Sequence, residues 1–402
     1  MFKSKHLPHN DFFANFAPDF NPFKMMKLNR FFIIAAMAAL TACHNDDPVV
    51  ISAEREPVEG ATPDTAGPVA GVYVMNEGNM GANKCTIDFF DYATAEYIRN
   101  LYPERNPNAV LELGDTGNDI AIDGNKLFIV VTGSNKVEIL DAATCKSMGH
   151  VDIPSCRNIA FDDKGNAYVS SFVGGTGDCG SVVRFDTTTG TITGSVSVGL
   201  QPEEIVIADG KLYVANSGQF QAPNYDRTIS VVSLDSFTMT GSIEVDVNMH
   251  HLRADNEGNL WVSSRGNYYD IPSNLYKLPK EGKAEFGSPI ALDIPCTNFT
   301  ISGDKLYYYA TVYDESWNST NIYGTVDTRT AAKGDDFITD GTQASIMAPY
   351  CVAVQPSNGD IFITDARNYV SSGELRCYSP EGTLKWTAKT GDIPGHIAFL
   401  MR

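Results

Sequence analysis

Between Gly180 and Gly218 apolar and polar positions fall into short runs, SVVRFD, ITGSVSVG, EEIVIA and KLYVAN, with no helical period. The first two meet at TTTG. A corner containing Pro202 follows, and the last two meet at the turn DG. Runs rich in Val, Ile, Tyr and Thr, each bounded by Gly, Asp, Asn or Pro, are the pattern of consecutive antiparallel strands.

The strand typified by KLYVA recurs as GVYVM at Gly71, KLFIV at Lys126, NAYVS at Asn166, KLYVA at Lys211, NLWVS at Asn259, KLYYY at Lys305 and DIFIT at Asp360. The spacing is 40 to 55 residues. A four-stranded antiparallel unit repeated at about 40–50 residues signs a β-propeller blade. Six copies follow a shorter strand: DIAID, NIAFD, EIVIA, HLRAD, NFTIS and CVAVQ. GVYVM lacks one, whereas the chain ends on an unpartnered copy from Pro394 to Leu400. Setting the last strand beside the first closes the ring and removes both open edges. The expected fold is therefore an all-β, seven-bladed β-propeller over 69–402, with a mixed N/C-terminal blade. The blades run 71–101 (completed by 395–400), 117–153, 157–199, 202–246, 250–293, 297–345 and 350–391, each with strands A to D from the axis outward.

The first 68 residues break this pattern. Lys27 and Arg30 precede the apolar run Phe31–Leu40, too short for a comfortable membrane span, which ends in Leu40-Thr41-Ala42-Cys43. A basic start, a short apolar run and small residues before a cysteine read as a lipoprotein signal peptide, with Cys43 the lipidated residue. Residues 1–43 are thus expected to be an upstream segment and signal, with translation starting at Met25 or Met26. Residues 44–68, rich in Pro, Asp and Glu, are expected to be a flexible tether. The acidic pair Asp46-Asp47 resembles a surface-export signal of Bacteroidota lipoproteins.

The formal net charge of -19 argues against binding nucleic acid or an anionic membrane surface, so the expected membrane contact is the lipid anchor. None of the eight cysteines forms a CxxC pair, and seven remain if Cys43 is lipidated, so no zinc signature or full disulfide framework is indicated.

Candidate chemistry gathers at one end. The A–B turns (DGN, DDKGN, ADG, DNEGN, SGD, PSNG) are short; DDKGN and DNEGN resemble calcium loops only in part, and hairpin chemistry explains them. Six B–C connections are long: 76–84, 173–180, 217–227, 265–274, 311–320 and 366–373. Strands alternate in direction, so these loops share a rim with the D–A connections. The candidate ligand-binding residues there are Asn76, Glu77, Phe220, Tyr225, Arg265, Tyr268, Tyr269, Tyr313, Trp317, Arg367 and Tyr369, because exposed aromatics on loops above a rigid scaffold are where binding sites lie. An aligned column opening the A strands, Asp119, Asn158, Glu204, His251, Asn298, Cys351 and His396, is expected to ring the channel mouth, as a ligand floor or a water-lined funnel. It offers too few ligands for a metal site.

The blades, with PEEIVIADGKLYVANSG as the clearest, resemble the YncE-like, YVTN-repeat propellers of bacterial envelopes. The first blade, GVYVMNEGNMGANKCTIDFFD, and the last, PSNGDIFITDARNYVSSGELRCYSPEGTLKWTAKTGDIPG, are similar to those of BtuG-type, cobalamin-capturing surface lipoproteins of Bacteroidota. That resemblance implies an outer-membrane, outward-facing protein that binds cobalamin as a transported ligand rather than a cofactor. It also implies a TonB-dependent transporter as partner.

Two other classes compete. A propeller lyase or lactonase needs a catalytic base or metal cluster on this face. His250, His251 and His396 are the only histidines there, and no nucleophile–base–acid series assembles around them, so no catalytic residue is assigned. A surface scaffold protein could use the aromatic rim for a glycan, another nutrient or a protein.

Overall fold

The computed structural model describes residues 52–402, apart from 110, 111, 284, 315 and 317. The signal, Cys43, residues 44–51 and Trp317 lie outside the described residues.

Apart from a separate two-stranded ribbon that pairs Lys280–Gly282 with Glu285–Phe286, seven antiparallel blade sheets stand around one axis. Their innermost strands are Pro394–Met401, Gly117–Asp123, Cys156–Phe161, Pro202–Ala208, Met249–Ala254, Asn298–Ser302 and Pro349–Val354, for blades one to seven in turn. Each packs against the inner strands of both neighbours, closing the circle. The closure pairs Val72 with Phe399, Tyr73 with Ala398 and Val74 with Ile397. The first blade is thus built from both ends of the chain.

The repeated aromatic of the KLYVA strand explains why the unit recurs. Tyr73, Phe128, Tyr168, Tyr213, Trp261 and Phe362 are buried, each in the apolar layer between successive blades. Burying a side chain of this size contributes about 2–3 kcal/mol, so each copy anchors a blade to its neighbour. The A–B turns then reverse the chain tightly. In the fourth blade Asp209 and Gly210 have φ of 49° and 76°, the two left-handed residues a type I′ hairpin requires.

Two boundaries differ from the sequence expectation. Glu54–Pro57 is not a tether but a fifth, outermost strand of the first blade, paired with Glu96–Arg99. Arg55 donates to Glu104 at 2.8 Å, Arg99 pairs with Glu54, and Val58 enters the core beside Trp386. An outermost strand is mostly exposed, so its charged, apolar-poor composition reads as a solvated linker. The sixth blade has three strands, Asn298–Ser302, Lys305–Tyr313 and Ser319–Asp327, rather than four. Beyond a single bridge from Val326 to Lys333, irregular chain carries Phe337, Ile338 and Ile346 into the interblade core. Those apolar residues mimic a strand in the sequence but pack without one.

All seven cysteines among the described residues are free, and all but Cys179 are buried. Among those residues no helix is long and apolar enough to cross a membrane.

Candidate functional site

The seven inner strands begin at one end of the ring, where the D–A and B–C connections also lie. There the loops surround a cavity of about 730 Å³. Blades one, two, three, five, six and seven all contribute to its lining. Its lip is tyrosine-rich. Tyr268, Tyr269, Tyr313 and Tyr369 line it while remaining 69%, 93%, 63% and 47% exposed, so four rings present open surface on which a flat group could stack.

The cavity's deeper part is made by the opening residues of the inner strands. Asn158, His251, Asn298 and His396 line it, as the aligned column predicts. Asp119 and Glu204 sit behind them and tie blades together. Asp119 accepts from the Ile159 amide at 3.0 Å, and Glu204 from the Leu252 amide at 3.1 Å, each in the next blade. Cys351 is buried. The column is therefore part cavity lining and part interblade fastening.

Three charged groupings lie at or just under the surface. Glu203, fully buried, accepts from Arg157 Nε and one terminal nitrogen, both at 3.1 Å, and from Arg265 at 3.2 Å. Burial pushes its carboxyl up, but the two guanidiniums outweigh this and hold it below the usual carboxylate range. Glu204 likewise overcomes burial through Arg253 and His251 and falls to about 2. His251 Nδ1 lies 2.8 Å from Glu204, yet burial keeps that imidazole below its ordinary value. We therefore assign a neutral His251 donating Nδ1–H to an ionised Glu204, with Arg253 carrying the positive charge. The third grouping is His396, 3.6 Å from both Glu77 and Asp119. Burial opposes its charge, but those two carboxylates prevail and raise it. Tyr350 donates to Glu77 at 3.0 Å, and its ring packs 5.8 Å from Tyr369. A Cβ at Gly395 would collide with the Glu77 carboxylate, so glycine is needed where that group crosses the closing strand.

Of the other rim candidates, Arg265 and Glu77 line the cavity. Asn76 does not serve: it is fully buried and donates to Thr86 at 3.0 Å, because the strand extends one residue further than the loop reading assumed. Arg367 turns to Glu374 at 3.3 Å. Phe220 packs edge-on against Phe172 at 5.8 Å, and Phe172 carries Arg157 over its face at 4.6 Å. Phe220 therefore props Arg157 from outside the cavity, and Tyr225 on the same loop lies outside the lining as well. Asp162 and Asp255 of DDKGN and DNEGN spend their carboxylates within the turn. Asp255 accepts from the amides of Glu257 and Asn259, the Asn259 side chain and the Trp261 indole.

Sequence reasoning placed His250 on this face without giving it a binding role, and missed Arg157, Glu203, Tyr309 and Tyr350. One signal was available for Glu203: in PEEIVIA, alternation sends two adjacent glutamates to opposite faces, so each needs its own cation.

The fold and this recessed, aromatic-lipped cavity define a seven-bladed propeller with a single decorated end. A family model described as a domain of unknown function, DUF5074, matches residues 70–385, and the chain belongs to that family. No curated protein matches it in sequence. Among solved structures it is similar to a candidate 6-phosphogluconolactonase of Bacteroides fragilis (13% identity, TM-score 0.57, covering 84% of this chain and 100% of that one). It is also similar to a quinonprotein alcohol dehydrogenase-like protein of Bacteroides thetaiotaomicron (15%, TM-score 0.52, 83% and 79%). A third similar structure is the hydrazine synthase of Kuenenia stuttgartiensis (17%, TM-score 0.51, 65% and 76%). At these identities the likeness is one of fold.

Proposed function

We propose that this protein is a lipid-anchored, outward-facing outer-membrane protein that captures a small molecule in the axial cavity. The ligand is cobalamin or a related corrinoid, passed on to a TonB-dependent transporter. The observation that carries the capture role is the cavity of about 730 Å³ with four exposed tyrosine rings over a polar interior. A large flat ligand with amide-bearing edges would stack on the rings and exchange hydrogen bonds with Asn158, Asn298 and the histidines. The loops are cross-braced, so little conformational entropy is lost on binding. The corrinoid itself rests on the resemblance of the first and last blades.

Binding is favoured over catalysis by the state of the titratable groups. Glu203 and Glu204 are held ionised by arginines, and His251 donates to Glu204, so these three groups are committed to one another rather than to moving a proton. Lipid attachment at Cys43 provides the anchor.

Titration of the mature protein with cyanocobalamin tests the reading, and saturable binding at micromolar ligand or tighter is expected. No binding there, together with retention on an oligosaccharide array, would replace the vitamin with a glycan and leave the capture role. Labelling of the wild type by radioactive palmitate, lost in Cys43→Ser, tests the anchor.

A further inference from the structure

The Arg157–Glu203–Arg265 grouping is unbalanced. Two guanidiniums share one carboxylate, which is fully buried, while the arginine side chains keep 16% and 20% of their surface, and both line the cavity. Arg157 spends Nε and one terminal nitrogen on Glu203, and Arg265 spends one terminal nitrogen on Glu203 and Gln219. The other terminal nitrogen of Arg157, and Nε and the second terminal nitrogen of Arg265, make no such bond among the described residues. His250 lines the same cavity with its ring 3.8 Å from that of His251. It is kept neutral by burial, then by Arg265, His251 and Arg157, so it adds no compensating charge. The positions are fixed: Phe172, braced by Phe220, lies under Arg157, and Gln219 holds Arg265.

Resting on the capture role argued above, we propose that Arg157 and Arg265 form an anion seat, taking a phosphate or carboxylate of the ligand while the tyrosine lip stacks on its flat part. One excess guanidinium charge in a recess is the arrangement that recognises planar or tetrahedral anions by charge-assisted, forked hydrogen bonds. Elsewhere in the cavity His396 faces two carboxylates, Glu77 and Asp119, and Asp270 lines the lip, so the positive excess is confined to the two arginines. The ligand class becomes an anionic flat molecule. In a corrinoid the group would be the phosphodiester of the nucleotide loop.

The test compares cyanocobalamin with dicyanocobinamide, the same ring without the nucleotide and its phosphate. It uses the wild type, Arg265→Gln and Arg265→Lys. Arg265→Gln leaves Glu203 matched one-to-one by Arg157, so it should fold, and its unfolding temperature without ligand checks that. The wild type is expected to prefer cyanocobalamin by about ten-fold, the worth of one charge-assisted contact. Arg265→Gln should erase most of that preference and Arg265→Lys restore part of it. Sodium pyrophosphate should raise the unfolding temperature of the wild type and leave Arg265→Gln unmoved. Equal wild-type affinity for the two corrinoids would overturn the seat and keep the corrinoid reading. If neither corrinoid binds but pyrophosphate still separates wild type from Arg265→Gln, the seat stands and the vitamin falls. Absence of both effects removes both.

Discussion

At the end of the propeller built from A–B and C–D turns, carboxylates bond to chain a few residues away. Asp141, Asp186 and Asp327 each accept from the amide three residues on, in the related turns DAAT, DTTT and DTRT, and all three are held below the usual carboxylate range. At the cavity end the partners are distant in sequence. Glu203 meets Arg157 and Arg265 across 46 and 62 positions, and Tyr350 reaches Glu77 across 273. One end caps itself; the other exists only once separate blades have come together. A carboxylate at the first end is structural by the time its turn forms. At the second it stays tied to other side chains, where a ligand can compete.

The sharpest break in that comparison is Glu203→Ala. It leaves two partly buried guanidiniums repelling each other, and removing one partner of a buried ion pair typically costs about 3–5 kcal/mol. The midpoint of urea unfolding should fall accordingly. Stability within about 1 kcal/mol of wild type would mean the arginines re-solvate freely and the cavity end is softer than its geometry. Asp255→Ala probes the other end. Its carboxylate is the hub of four bonds, one to the buried Trp261, so a loss of about 2 kcal/mol is expected, with no change in cyanocobalamin affinity. A change in affinity would show that the two ends communicate.

The same contrast explains what could be read from the sequence. Strand repeats, DG turns and the closing strand were legible because each depends on near neighbours or on counting copies. Tyr268, Tyr269, Tyr313 and Tyr369 were legible because a long loop bearing rings has few places to hide them. Asn76 misled because a strand end and a loop start look alike in NEGN, and Glu54–Pro57 because an outermost strand needs little apolar surface. Arg157 and Tyr350 gave no local signal: each lies at the start of an inner strand, and its role is set by another blade. The missing fourth strand of blade six was masked by Phe337 and Ile338, apolar residues that pack between blades without pairing.

Acidification separates the histidines of the cavity. His250 and His251 have folded values depressed below the unfolded value of about 6.5, so the unfolded chain binds protons first as pH falls. Their contribution is full above that value and lost below it. His396 has the opposite sign: its raised value adds stability present below about 6.5 and lost as pH rises through its folded value. Among the cavity histidines two groups oppose one, so their combined contribution should fall between pH 7 and 5, at up to about 1.4 kcal/mol per pH unit for each net proton, with the raised carboxyls of Asp119 and Asp88 acting the other way. His250→Gln should flatten the slope and His396→Gln steepen it, as urea midpoints across that range would record. The reverse order would mean that His250 is charged in the fold, against its place beside Arg157 and Arg265.

The smallest stability effect belongs to the lip. Tyr268 and Tyr313 are 69% and 63% exposed, so replacing both with Ala removes little buried surface and should shift stability by less than about 0.5 kcal/mol. Ligand capture should nonetheless weaken about ten-fold or more, because a stacked ring at the mouth of a recess is the type of contact that dominates binding. Urea midpoints and cyanocobalamin titration on the same samples read both quantities. Matching losses in the two would make these rings part of the scaffold, and the difference between the ends would then be one of sequence distance alone. Loss of capture without loss of stability keeps the distinction functional: the turns at one end serve only the fold of their own blades, and the loops at the other keep surface with which to hold something else.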